Sequence, residues 1–342
     1  MRIHHRRRPR PQSGTRAAST LALIAVLGVL VTALTACGSS EPRNLIDSIR
    51  AGKVILGAKY DQPGLGMQEP DGSVVGFDPM VSEFVVNRIA DSLGVDHPSI
   101  TWRETPSPQR ETLIANGEVD MIAATYSISE ARLKKVDFAG PYLVTYQGLL
   151  VRKDDSTLTS LTDLNDGRRL CSVSGSTSAQ NVKAQLPGVQ LQEFDSYSSC
   201  VEALRRDKVD ALTTDETILA GYSDRYPGEF KLVPMTYFKD ACVSGSLKTK
   251  GQPFSTEYYG IGMAENFPEA VEKVDDALRA MFVTPPGGES PWTRYLRESV
   301  GDEVVDEWIR RADTPGSGYK LIPTVGDQSF VDAKSTPCGG EE

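Results

Sequence analysis

Histidine is nearly absent from this chain, with three in 342 residues. His4 and His5 lie in an N-terminal segment that reads as removed on export, so a histidine-based triad has only His97, beside Pro98, to draw on. No two cysteines are spaced C-x-x-C, which argues against zinc, and neither metal nor cofactor is expected. The N-terminal apolar run, Leu21 to Ala36, has sixteen residues. That is short of the ~20 needed to cross a bilayer. There is no internal repeat at solenoid periods. An excess of basic charge is also lacking. Residues 1–36 hold six of the 37 basic residues and no acid, leaving 31 basic against 46 acidic, net −15. Such a field repels nucleic acid and anionic lipid, so an anionic ligand would need a local cluster of cations.

Hydrophobic content of 39% and charged content of 24% fit a soluble globular protein, and 342 residues can hold two lobes. The pattern alternates strand and helix. Strands are predicted at Lys53–Ala58, Ile100–Glu104 and Asp120–Thr125, with helices at Phe77–Leu93 and Arg110–Asn116, the latter closed by Gly117. After a crossing segment near Val144–Gly148 the alternation repeats. Strands follow at Arg169–Val173, Gln190–Phe194, Ala211–Thr213 and Phe230–Pro234. Helices follow at Thr177–Gln185, Cys200–Asp207 and Glu216–Ser223. Tyr258–Met263 reads as the return crossing, before helices at Pro268–Phe282, Pro291–Ser299 and Glu303–Arg311. Alternation implies parallel sheets flanked by helices, with ligands at the carboxyl ends of strands. From Thr314 onward Pro, Gly, Ser and Asp dominate, and a loose extension is expected.

Asp120 to Tyr142, DMIAATYSISEARLKKVDFAGPY, is the most informative stretch. It reads as a buried strand, a polar turn and a helix capped by Ser129, with Glu130 suited to the positive end of the helix dipole. Arg132 opposes that dipole and calls for a compensating anion. An anionic ligand, met by the hydroxyls of Thr125, Ser127 and Ser129 and the forked guanidinium, would supply it; a solvated surface arginine is the plain alternative.

The segment resembles the ligand-binding segment of the family 3 extracellular solute-binding proteins, the polar amino acid receptors of ABC importers. The carrying residues are Ala124, Ser127, Ser129 and Arg132, together with GFD at Gly76–Asp78, NGEVD at Asn116–Asp120 and VDF at Val136–Phe138. YQGLLVRK at Tyr146–Lys153, SGST at Ser174–Thr177 and VDALTTD at Val209–Asp215 continue the series. The resemblance runs from about Lys53 to about Gly301. It implies an α/β, two-lobe periplasmic-binding-protein-like (type II) fold, its cleft between lobes joined by two crossing strands. Lobe 1 would take 44–145 and, on return with the C-terminal helices, 258–313; lobe 2 would take 146–257, and 314–342 would be a C-terminal extension. Arg132 with Thr125 and Ser127 would hold an amino acid's α-carboxylate. Asp215, helped by Thr214, would hold its ammonium, and Ser176 and Thr177 would line the cleft from lobe 2. Asp215 also suits the N-cap of the next helix, and one oxygen could serve each role. Ser176 equally suits an ordinary helix cap. Lys59 and Arg110 resemble the basic pair that takes a distal carboxylate in glutamate- and aspartate-binding members. The expected ligand is therefore an acidic or polar amino acid, L-glutamate first, with aspartate, asparagine or glutamine behind it. Asp61 is given a structural role. The chain is read as a monomeric binding protein that closes by hinge motion and docks on permease subunits, with a sensor receptor or a dehydratase-like enzyme as the rival readings.

The N-terminus resembles a lipoprotein signal: Arg6, Arg7, Arg8 and Arg10 precede the apolar run, which ends Leu34-Thr35-Ala36-Cys37. Residues 1–36 would be cleaved and Cys37 lipidated, so that 37–43 tether the protein to the outer face of the cytoplasmic membrane. Pro9 and Pro11 argue against twin-arginine export. The other four cysteines allow three pairings. Cys171 on a strand and Cys200 on a helix of the same lobe are the favoured pair, leaving Cys242 and Cys338 either bonded, which would clip the tail, or as free buried thiols.

Overall fold

The computed structural model describes residues 41–338 except 166, 244 and 333–335. The signal segment and Cys37 lie outside the described residues. Among those described, no helix is long and apolar enough to cross a membrane.

Fourteen strands and ten α-helices follow in chain order among these residues. The strands are β1 (Lys53–Ala58), β2 (Asp61–Gln62), β3 (Gly66–Gln68), β4 (Val74–Val75), β5 (Ser99–Glu104), β6 (Met121–Ile122), β7 (Asp137–Arg152), β8 (Arg169–Val173), β9 (Gln190–Phe194), β10 (Ala211–Asp215), β11 (Phe230–Pro234), β12 (Ala241–Val243), β13 (Ser246–Lys248) and β14 (Thr256–Met263). The helices are α1 (Leu45–Arg50), α2 (Phe77–Leu93), α3 (Arg110–Ala115), α4 (Glu130–Leu133), α5 (Thr177–Gln185), α6 (Tyr197–Arg205), α7 (Glu216–Arg225), α8 (Pro268–Met281), α9 (Pro291–Val300) and α10 (Asp302–Asp313).

The main sheet runs β5-β1-β6-β14-β7-β10-β8-β9, with β11 on the other side of β7. Strand β7 does the joining. Its sixteen residues pair with β14 from Asp137 to Tyr146, then with β10 and β11 from Gln147 to Arg152. Lobe 1 is thus built on β5, β1, β6, β14 and the first part of β7; lobe 2 is built on the rest of β7 with β10, β8, β9 and β11. Within each lobe β1, β5 and β6, or β8, β9 and β10, run parallel as alternation requires. The joining strands run antiparallel to their neighbours, so the sheet is mixed rather than purely parallel.

Local chemistry explains the element ends. Gly94, at φ 67°, closes α2 by returning its N–H to Ala90 and Asp91. Ser176 caps α5 through Ala179 N at 3.0 Å, and Ser196 caps α6 through Ser199 N at 3.2 Å. Cys171 on β8 is bonded to Cys200 on α6, and Cys242 to Cys338. The first link closes a 29-residue separation, worth ~3–4 kcal/mol on chain-entropy reasoning. Helix α6 begins three residues before the predicted Cys200, because Ser196 rather than Cys200 supplies the cap. One apolar cluster extends from Leu45, Val85 and Leu278 in lobe 1 to Val173, Leu204 and Tyr222 in lobe 2, and the lobes are closed on one another, with Arg132 Nη2 on Gly175 O at 3.1 Å and Ser198 N on Asp61 Oδ2 at 3.1 Å.

Two expectations need correction. The predicted strand Asp120–Thr125 shrinks to Met121–Ile122, because the chain must leave the sheet to place Thr125 at φ 47°. The tail is not loose. Its described residues form no helix, but Leu321 is buried, Phe330 stacks on Tyr258 at 3.7 Å between ring centroids, and the Cys242–Cys338 disulfide ties it to β12.

Candidate functional site

The loop after β6 carries the first group. Arg132 is buried on α4. Its Nη1 donates to Ser127 O at 2.6 Å, and its Nε lies 3.4 Å from Glu111 Oε1. The dipole-opposing arginine is therefore compensated by Glu111 and carbonyl oxygens, not left in solvent. Its Nη2 donates to Gly175 O of lobe 2 at 3.1 Å. Ser129 sits at the N-cap but makes no side-chain cap bond, so the predicted capping holds for position only. Thr125 N donates to Asp78 Oδ2 at 2.7 Å and Thr125 Oγ1 to Gln62 Oε1 at 3.1 Å. These bonds hold a non-glycine residue in the left-handed region, a strain of order 1–3 kcal/mol of the kind found at ligand sites.

The second group is basic. Lys59 follows β1 directly, and its Nζ donates to Ser107 Oγ at 2.8 Å. Arg110 opens α3 and donates from Nη1 to Ala124 O at 3.1 Å, while its Nε has no partner. Tyr126 lies beneath both guanidinia, its ring centroid 4.1 Å from Arg110 Cζ and 5.0 Å from that of Arg132. Burial, and then the Arg110 charge, push Lys59 down to about 7. Burial, and then Arg132, push Arg110 down to about 10. Lys59, Arg110 and Arg132 crowd one wall of the cleft, and the repulsion among them favours an anion beside it.

Lobe 2 supplies the facing wall. Thr177 Oγ1 meets Ser127 Oγ at 3.4 Å across the cleft. Ser176 spends its Oγ on the α5 cap. Thr214 is buried at the end of β10, beside Asp215. Asp215 precedes α7 but makes no side-chain cap bond. This corrects the shared-oxygen expectation: Oδ1 accepts from Ser178 Oγ at 3.3 Å and Oδ2 from Tyr259 Oη at 2.6 Å. Burial, and then the nearby Glu257, push Asp215 up to about 8. An ammonium group beside it would reverse that shift.

Several residues of the site carry no signal of their own in the sequence. Asp78 stands in the sequence only as the last residue of the GFD motif, yet it joins Thr125 N to the Tyr142 hydroxyl, 2.7 Å from Oδ1. Tyr126, Glu111, Ser178 and Tyr259 had no signal beyond their neighbourhood, since their roles depend on contacts across the fold. Gln62 reaches Thr125. Asp61 works structurally, accepting Ser198 N of lobe 2 at 3.1 Å and, through its carbonyl, the Tyr222 hydroxyl. Tyr146 turns toward the tail and donates to Lys320 O at 3.1 Å.

Two lobes, hinged on paired strands and closing positive and negative groups between them, are the geometry of a solute receptor. Comparison with known proteins agrees. Residues 54–284 match the model of the bacterial extracellular solute-binding proteins, family 3. The chain is 50% identical over 319 residues to a glutamate-binding protein of Corynebacterium efficiens, covering 93% of this chain and 97% of that one. It is 36% identical over 247 residues to a glutamine-binding protein of Geobacillus stearothermophilus, covering 67% and 91%. Among solved structures, an ancestral arginine-binding protein bound to glutamine matches with a TM-score of 0.59 at 27% identity, covering 73% of this chain and 99% of that one. These relatives are binding proteins, so this is a binding protein rather than an enzyme, and the chain belongs to the bacterial extracellular solute-binding proteins, family 3.

Proposed function

We propose that this protein captures an acidic amino acid, L-glutamate first, outside the cell and delivers it to the permease of an ABC importer. The observation that carries the reading is the charge of the closed cleft. Lys59, Arg110 and Arg132 of lobe 1 are 5%, 2% and 5% exposed, and Asp215 of lobe 2 is 3% exposed with the Arg132 charge acting on it. Arg110 Nε is buried without a partner and Lys59 donates to a neutral hydroxyl, an arrangement that is expensive unless an anion joins it, so this part of the wall is built for an anion. A dicarboxylic amino acid brings two carboxylates and one ammonium, the complement of that set.

In this reading Arg132, Thr125 and Ser127 take the α-carboxylate. Asp215 and Thr214 take the ammonium, Lys59 and Arg110 the distal carboxylate, and Ser176 and Thr177 close the lobe 2 side. Binding proceeds by hinge closure, favoured only through the ligand's greater affinity for the closed state. Cys37 carries the lipid that keeps the mature monomer at the outer face of the membrane.

Calorimetric titration of the mature protein, stripped of bound ligand by unfolding and refolding, tests this. Tight binding of glutamate with much weaker glutamine is expected. Tight binding of glutamine or a basic amino acid would remove Lys59 and Arg110 from these roles.

A further inference from the structure

The segment after α10 lies beyond residues 54–284, where the family model ends, and it touches both lobes. Tyr319 meets Tyr146 edge-on at 4.4 Å between centroids, with Arg311 Cζ 4.0 Å above the Tyr319 ring. Val144 N donates to Leu321 O at 3.2 Å. Both Val144 and Tyr146 belong to the part of β7 where lobe 1 passes into lobe 2. Further on, Gly326 N donates to Gly140 O at 2.9 Å, and Gln328 Nε2 to Phe138 O at 2.9 Å. Phe330 stacks on Tyr258 of β14 with 9° between the ring planes. All three contacts are with lobe 1.

The end of the segment belongs to the other lobe. Leu247 N donates to Thr336 O at 2.8 Å, Cys338 N to Gly245 O at 3.2 Å, and Cys338 is bonded to Cys242. The β12–β13 hairpin that receives it is part of lobe 2, where Val243 packs against the cluster around Leu149, Val233 and Phe254.

We propose that the chain linking its two described anchors, Phe330 on lobe 1 and Cys338 on lobe 2, acts as a strap across the hinge that limits how far the lobes part in the ligand-free protein. The chain is fixed to lobe 1 by Phe330 and to lobe 2 by the disulfide at Cys338. Seven residues lie between those anchors, eight Cα steps that reach at most ~29 Å when fully extended. Opening beyond that slack must peel Phe330 from Tyr258. A narrower open ensemble raises the fraction of competent molecules and so tightens apparent affinity.

The strap rests on the hinge-closure part of the proposed function and not on which solute is bound. The test measures inter-lobe distances in the full-length mature protein, with one fluorophore on each lobe placed through non-natural residues. Ligand-free Cys338→Ser and Cys242→Ser should show longer and broader distances than the parent. Phe330→Ala, with the disulfide intact, should lengthen them by releasing the other anchor. Glutamate at saturation should bring all forms to one short distance, with an apparent Kd about threefold to tenfold weaker in the cysteine variants. Unchanged ligand-free distances in all three variants overturn the strap, even if melting temperature falls, because a plain structural clip would move only stability. If glutamate closes neither parent nor variants, the glutamate reading fails while the ligand-free comparison still decides the strap.

Discussion

Arg132 of lobe 1 donates to the Gly175 carbonyl of lobe 2 at 3.1 Å, so one guanidinium belongs both to the ligand-facing wall and to the closed state. Removing it should act twice. Arg132→Ala takes away the proposed α-carboxylate partner, leaves Glu111 without its cation, and deletes a lobe-to-lobe bond. Truncating one member of a buried, hydrogen-bonded charge pair costs ~2–5 kcal/mol. Titration calorimetry should therefore show at least ~30-fold weaker binding for every amino acid tested. A loss confined to glutamate would contradict the α-carboxylate role.

Arg110 should separate ligands instead. It lies on the same Tyr126 ring as Arg132 but faces the Lys59 side of the cleft. Arg110→Ala is expected to weaken glutamate by ~2–5 kcal/mol while changing glutamine by much less. The ratio of the two affinities is the readout. Equal losses for both would show that Arg110 supports the wall rather than reads the side chain.

The secondary structure was largely legible because the period changes are clean. Phe77–Leu93, Arg169–Val173, Thr177–Gln185 and Gln190–Phe194 match the observed elements at both ends. The site was legible as residue types at motif positions, and less so as bonds. That Asp215 turns from its cap position toward Ser178 and Tyr259 depends on helix α5 and strand β14, 37 and 44 residues away in sequence. The tail misled for a similar reason. Its Pro and Gly content signals irregular backbone, which it has, whereas Tyr319, Leu321 and Phe330 are too sparsely spaced to form a periodic pattern, yet each finds a partner on the crossing strands.

The cleft's perturbed acids and bases predict how proton exchange follows pH. Asp215 is pushed up to about 8 in the closed cleft, so near pH 5.5 a cleft closed without an ammonium beside it keeps Asp215 protonated. A bound ammonium favours its ionised form, so binding there releases a proton. Lys59 is pushed down to about 7, so near pH 8.5 it is largely neutral. A bound distal carboxylate favours its charged form, so binding there takes up a proton. Calorimetry of glutamate in buffers of different ionisation enthalpy should show release at the lower pH and uptake at the higher. Release should vanish in Asp215→Asn, and uptake in Lys59→Met. The opposite signs would refute both placements.

Gly221 gives a prediction in which stability and affinity part. It lies within α7 of lobe 2, and a Cβ built there would fall 2.0 Å from the Pro63 carbonyl oxygen of lobe 1. That neighbour is backbone and cannot turn aside. In a helix interior, alanine is favoured over glycine by up to ~1 kcal/mol. Gly221→Ala should thus leave the ligand-free protein as stable as the parent, or more so, because the open form relieves the contact. Closure is another matter, since the same methyl wedges the lobes apart beside the Asp61 bonds to Ser198 and Tyr222. Weaker binding of every ligand, with no drop in the ligand-free melting temperature, is the expected pair of results. Unchanged affinity would mean that Pro63 and Gly221 do not meet in the ligand-bound state, and that closure is less complete there than in this structure.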